Sequence, residues 1–122
     1  MAIRALLLVG LLSAVVACGG GPAPTGNAQV ARGRQLYQQA CSVCHGATGA
    51  GMPGLGKGLL GNVFVRNRGE AELVGFLQVG RAASDPQNVT GVTMPPRGGN
   101  PNLTDADLAA IAAYLKSMVG NR

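Results

Sequence analysis

A chain of 122 residues fits one small domain with little core to spare, and its two Tyr, two Phe and no Trp against 20 Gly call for some staple beyond side-chain packing. The formal charge of +5 does not make it a nucleic-acid binder, because the basic residues from Arg32 to Arg122 are scattered and not interleaved with aromatics. A positive face that steers toward an acidic partner is the better use of this charge.

Residues 1–17 read as a targeting segment. Arg4 supplies the charged start, and Ala5 to Ala17 is an apolar run ending in small residues, too short to span a bilayer comfortably. The run ends Val15-Val16-Ala17-Cys18, which resembles the lipobox of bacterial lipoproteins, so Cys18 is the expected lipidation site and the mature N-terminus. The alternative is a spare thiol removed with the leader. Without Arg4, nine basic and five acidic residues remain, about +4 for the mature chain. More than one acyl chain makes anchoring stable. The expectation is an exported domain held by a lipid anchor on the extracytoplasmic, periplasmic side of a membrane. Residues 18–27, the lipidated Cys18 followed by a Gly/Pro-rich stretch to Asn27, form a linker with a root-mean-square reach of roughly 17 Å. That keeps the domain, residues 28–122, near the bilayer.

From about Ala28 to Ala40 the pattern is helical, with Val30, Gly33, Tyr37 and Ala40 or Cys41 on one face. Gly33 costs a helix up to about 1 kcal/mol relative to Ala, which suits a close crossing by another helix or plain tolerance of glycine. Next comes Cys41-Ser42-Val43-Cys44-His45. Two thiols separated by two residues, with a histidine directly after the second, is the spacing for c-type haem attachment. The sulfurs can bond the two vinyl groups on one porphyrin edge while a helical turn aims His45 at the iron.

Residues 46–58 form a glycine-rich loop able to wrap a flat ligand, with Leu59 and Leu60 candidates to lie against it. Glu70 to Val79 is the next helix, with acids in its first turn, Leu73, Phe76 and Leu77 on one face, and Gly80 then Arg81 at its end. A turn at Ser84 to Asn88 leads to a segment without period that contains Thr93-Met94-Pro95-Pro96. Thr104 is the predicted N-cap of the last helix with Asp107 three residues on, and Leu108, Ile111, Leu115 and Met118 form its apolar stripe. Strand signals are thin. The fold expected is all-α, three to four short helices with long loops around one covalently bound haem.

Zinc would need four ligands, and His45 is the sole histidine; a thioredoxin-type disulfide needs alternating strands and helices, which are missing. The sixth iron position decides the chemistry, since a filled site transfers electrons and an open one binds gases or activates oxygen. Met118 sits on a core stripe. Met52 lies only seven residues after His45, a length of chain needed to leave the proximal side. Met94 lies far along the chain, restricted by Pro95 and stiffened by Pro95 and Pro96, so His45 and Met94 are the expected iron ligands.

Cys41 to Gly46, the loop after them, Thr93-Met94-Pro95-Pro96 and the closing helix with Ala113-Tyr114-Leu115 together resemble the class I monohaem cytochromes c, over roughly Ala28 to Met118. The segment from Met94 to Pro101 is similar to small bacterial cytochromes of the c5 kind and to haem domains attached to terminal oxidases and quinol-oxidising complexes. The resemblance implies the cytochrome c fold, with Gly33 and Tyr37 facing Leu108, Ile111 and Tyr114. It also implies one haem c per chain, held by Cys41 and Cys44 and ligated by His45 and Met94. In the family a carbonyl from a Pro-X-Leu stretch accepts a hydrogen bond from the proximal histidine; the matching residues here read Lys57-Gly58-Leu59. Arg81 and Arg97, which flank the Met94 loop, are candidates to hold the propionates. The implied function is one-electron transfer by a carrier rather than an enzyme, as a tethered shuttle or as the haem subunit of a respiratory or photosynthetic complex. Its partner would be a redox protein or membrane complex with an acidic docking surface. The alternative is a haem enzyme or gas sensor with an open distal site, which no distal acid and base pair, second CxxCH or spare histidine supports.

Overall fold

The computed structural model describes residues 26–120; the candidate leader, Cys18 and most of the linker lie outside the described residues. Helix α1 runs Gly26–Ala40, so Gly26 and Asn27 belong to it and not to the linker, an end shifted by the residue or two over which helices fray. It is followed by α2 (Ser42–His45), α3 (Val63–Asn67), α4 (Glu70–Val79), a 3₁₀ turn (Pro96–Gly99) and α5 (Asp105–Gly120). The fold is all-α with long loops, as expected, and the described residues hold isolated β-bridges but no named strand. Two of the five α-helices are single turns. The α3 turn was not read from the sequence, although its local signal was there: the Asn62 side chain accepts from the Phe64 N–H at 2.9 Å.

The last helix starts as its sequence predicts. The Thr104 N–H donates to the Asp107 carboxylate at 3.0 Å and the Asp107 N–H to the Thr104 hydroxyl at 3.2 Å, a reciprocal cap. Asp107 also accepts from Nε of Arg32 on α1, at 3.1 Å, so the cap ties the first helix to the last. Above this tie the two helices cross where α1 has no side chain. A methyl group added to Gly33 would strike the Ala110 carbonyl and lie 2.9 Å from Cβ of Tyr114. Gly33 therefore serves the close crossing, and its partner is Ala110, a residue the apolar stripe does not mark. One turn along, the rings of Tyr37 and Tyr114 meet edge to face with centroids 5.4 Å apart.

Tyr37, Leu73, Leu108 and Ile111 are almost completely buried, each stabilising the fold by roughly 1.5–3 kcal/mol. Leu73 and Leu77 bring α4 into the same core, which α3 joins through Val65. Lys116 on α5 closes α3 by donating to the carbonyls of Arg66 at 2.8 Å and Arg68 at 2.7 Å, a cation at the negative end of a helix. Met118 packs on the edge of this core, beside Gly49. Among the described residues no helix is long and apolar enough to cross a membrane.

Candidate functional site

The packed helices leave one wall of the core open as an apolar cleft, part of it facing solvent. Leu59, Phe64, Leu73, Leu77, Ile111 and Leu115 supply its floor and sides. Cys41, Cys44, His45 and Met94 all line it, so residues separated by half the chain are brought to one place.

Local hydrogen bonding explains the first three. The Cys41 N–H donates to the Tyr37 carbonyl at 2.8 Å, extending α1, and the His45 N–H to the Cys41 carbonyl at 3.0 Å. Positions i, i+3 and i+4 of such a turn share a face, so both thiols and the imidazole reach the cleft. Gly46 ends the turn with φ +78°, and its carbonyl accepts from the buried Tyr37 hydroxyl at 2.7 Å. Burial, with Cys41 and Tyr114 nearby, pushes that hydroxyl up to about 12, so it stays a donor. Cys41 and Cys44 form no disulfide with each other. Burial first, and Cys44 beside it second, push the Cys41 thiol up to about 11.

The imidazole is oriented by the glycine-rich loop. Nδ1 of His45 lies 2.7 Å from the Lys57 carbonyl oxygen. A carbonyl can only accept, so Nδ1 carries the proton and Nε2 keeps its lone pair free. The first residue of Lys57-Gly58-Leu59 thus provides the carbonyl, and the missing proline takes nothing away because the acceptor is backbone. Loop closure requires glycine at position 56: a Cβ there would strike the Cys44 carbonyl and sit 3.1 Å from Cβ of Cys44. Leu59 lines the cleft, while Leu60 turns toward Gly49 and Met118.

Met94 is set by its backbone. Its N–H donates to the Arg81 carbonyl at 2.8 Å and its carbonyl accepts from the Arg81 N–H at 2.9 Å. Gly80, at φ +72°, allows this approach, since a Cβ there would collide with the Met94 carbonyl. Pro95 is extended, and the 3₁₀ turn after it carries the chain toward α5. Met52 stays outside the cleft, in a tight turn bridged to Gly56, and is 43% exposed. The two flanking arginines part company. Arg97 is spent on the Leu103 carbonyl at 2.7 Å and Asp105 at 2.8 Å and does not line the cleft; Arg81 does line it.

Apolar walls for a flat macrocycle, two cysteines one helical turn apart and not bridged to each other, an imidazole with a free Nε2 and a thioether from a distant loop form a donor set that fits a covalently attached haem. A small all-α domain wrapped around such a cleft is a cofactor-carrying protein of the haem-binding class. The cytochrome c family model matches residues 30–119, and the chain belongs to the cytochrome c family. Membership brings a covalently bound haem c, with its iron, and electron transfer by a haem protein.

The chain is 32% identical over 99 residues to the thiosulfate dehydrogenase of Stutzerimonas stutzeri, a match covering 79% of this chain and 29% of that protein. It is 25% identical over 100 residues to the Cbb3-type cytochrome c oxidase subunit CcoP of Rhodobacter capsulatus, covering 81% of this chain and 32% of that protein. It thus spans about a third of the length of these relatives. No solved structure matches it significantly.

Proposed function

We propose that this chain is a class I, c5-like monohaem cytochrome that relays single electrons. Cys41 and Cys44 would hold one haem through thioether bonds to its two vinyl groups. His45 and Met94 would bind its iron. The haem supplies reversible one-electron chemistry at iron. Lys57 holds the His45 ring in the tautomer that presents Nε2, and the apolar side chains around the cleft exclude water. A thioether from Met94 would favour the reduced iron and raise its potential.

The observation that carries this reading is the convergence of the Cys41 and Cys44 side chains, an imidazole with a free Nε2 and the Met94 thioether on one apolar cleft. In the same reading residues 1–17 are an export leader and Cys18 is lipidated, which tethers the domain on the extracytoplasmic side. The positive charge of the chain suits an acidic docking surface on a redox protein or membrane complex, with the domain acting as tethered shuttle or as haem subunit.

The test is the spectrum of the exported protein, wild type against Met94→Ala. Wild type should stay coloured after denaturation and solvent extraction and should show a sulfur-to-iron charge-transfer band. Met94→Ala should lose the band and gain carbon monoxide binding. A colourless denatured chain with both thiols free overturns the haem attachment. Carbon monoxide binding by the wild type at the Met94→Ala level would instead favour an open-site haem enzyme or gas sensor.

A further inference from the structure

Arg81 is joined to every part of the wall that carries Met94. Its backbone exchanges both hydrogen bonds with Met94, and its side chain leaves that bridge in the other direction. Nη1 donates to the Gln87 carbonyl at 3.2 Å and Nη2 to Gln87 Oε1 at 3.1 Å, while Nε faces the Asp85 carboxylate at 3.5 Å. The guanidinium carbon lies 4.9 Å from the centroid of the Phe64 ring on α3 and 5.0 Å from that of Phe76 on α4. Those two rings contact each other edge to face, with centroids 4.7 Å apart, and both line the cleft.

The loop from Ala82 to Thr93 is held by polar contacts and not by burial. None of its residues is buried, and Val89 is 70% exposed. Its order comes from polar contacts: Asn88, which bonds the Ala82 and Val92 carbonyls and the Thr90 and Gly91 amides, the Ala83 N–H on the Thr93 hydroxyl at 3.1 Å, the Gln87 N–H on the Asp85 carboxylate at 2.7 Å, and the Arg81 fork on Gln87. A lone two-residue bridge is weak, each hydrogen bond contributing about 1 kcal/mol net. Pro95 and Pro96 stiffen Met94 only on its C-terminal side. On its N-terminal side the restraint is the loop, which the Arg81 side chain joins to Phe64 on α3 and Phe76 on α4.

We propose that the Arg81 side chain is the positioning residue that keeps the Met94 thioether on the iron. This rests on the reading of Met94 as axial ligand. Arg81 clamps the loop by a two-toothed hydrogen bond on Gln87 and by cation–π contact with Phe64 and Phe76. A lysine would keep the charge but supply neither the fork nor the plane. Loosening the loop raises the fraction of time the sulfur is off the iron, and an external ligand enters in proportion to that fraction.

The experiment uses the full haem-loaded chain and measures the rate of imidazole binding to the oxidised protein together with the charge-transfer band. Arg81→Lys is expected to bind imidazole about tenfold faster than wild type, the factor set by losing roughly one charge-assisted hydrogen bond. Gln87→Ala, which removes one acceptor and leaves Arg81 in place, should move the rate the same way by less. Arg32→Ala, which breaks the tie between α1 and α5 and touches none of the loop's hydrogen bonds, should lower thermal stability without speeding imidazole binding; an equal speeding there reduces Arg81 to general stability and overturns the inference. Wild-type rates in both Arg81→Lys and Gln87→Ala, with Met94→Ala fast, also overturn it while sparing the axial assignment. A Met94→Ala protein that keeps the band and the slow rate removes the axial assignment itself, and this inference with it.

Discussion

The Nδ1 atom of His45 and the backbone carbonyl of Lys57 lie 2.7 Å apart, so the imidazole is held by main chain and not by the exposed lysine side chain. Lys57→Ala should therefore leave the haem spectrum unchanged and alter stability by no more than about 0.5 kcal/mol. Absorption spectra and denaturant titration check this. A changed spectrum would show that the ammonium group, not the carbonyl, sets the ring.

Gly33 lets α1 approach α5 at Ala110, and a methyl group has nowhere to go. Gly33→Ala should destabilise the protein by about 1–3 kcal/mol, the usual cost of overpacking, despite alanine's better helix propensity. Gly75, inside α4, meets nothing within 4 Å, and Gly75→Ala should stabilise by about 0.5–1 kcal/mol. Thermal melts of the pair should move in opposite directions.

Gly80 combines φ +72° with the Met94 carbonyl pressed against it. Gly80→Ala is strained twice over, by roughly 1–2 kcal/mol in the backbone alone. The displaced Arg81–Met94 bridge should weaken the sulfur-to-iron band even where the fold survives, as near-infrared spectra would record.

The Thr104 N–H first, then Arg32, hold the Asp107 carboxyl below its ordinary value of 3.8. A carboxylate whose folded value is depressed contributes stability that is complete above the unfolded value and is lost as pH falls through the folded one. Asp107→Asn should therefore be less stable than wild type at neutral pH, and the gap should close below about pH 4. Thr104→Ala should cost about 1 kcal/mol through the lost cap. Chemical denaturation across pH tests both.

Cys18→Ser should release the exported protein from membranes with its haem spectrum intact. Membrane retention after that change would point to partner binding in place of a lipid anchor, and fractionation followed by spectroscopy separates the two.

The sequence by itself determined what depends on neighbours a few residues apart. The Cys41-Ser42-Val43-Cys44-His45 turn, the Glu70 and Thr104 helix starts, the buried stripe of α5 and the stiffness after Met94 are all local, set by helical period, capping chemistry and proline geometry. Only the tertiary structure decided that Ala110 receives Gly33, that the carbonyl of Lys57 fixes His45, that Arg97 serves α5 while Arg81 serves the Met94 wall, and that Met94 and His45 face one cleft. Each of these joins residues a dozen or more positions apart, or picks one backbone group among many that look alike. No period or spacing encodes such a choice, because a carbonyl is the same on every residue and acquires its partner only when the helices have packed.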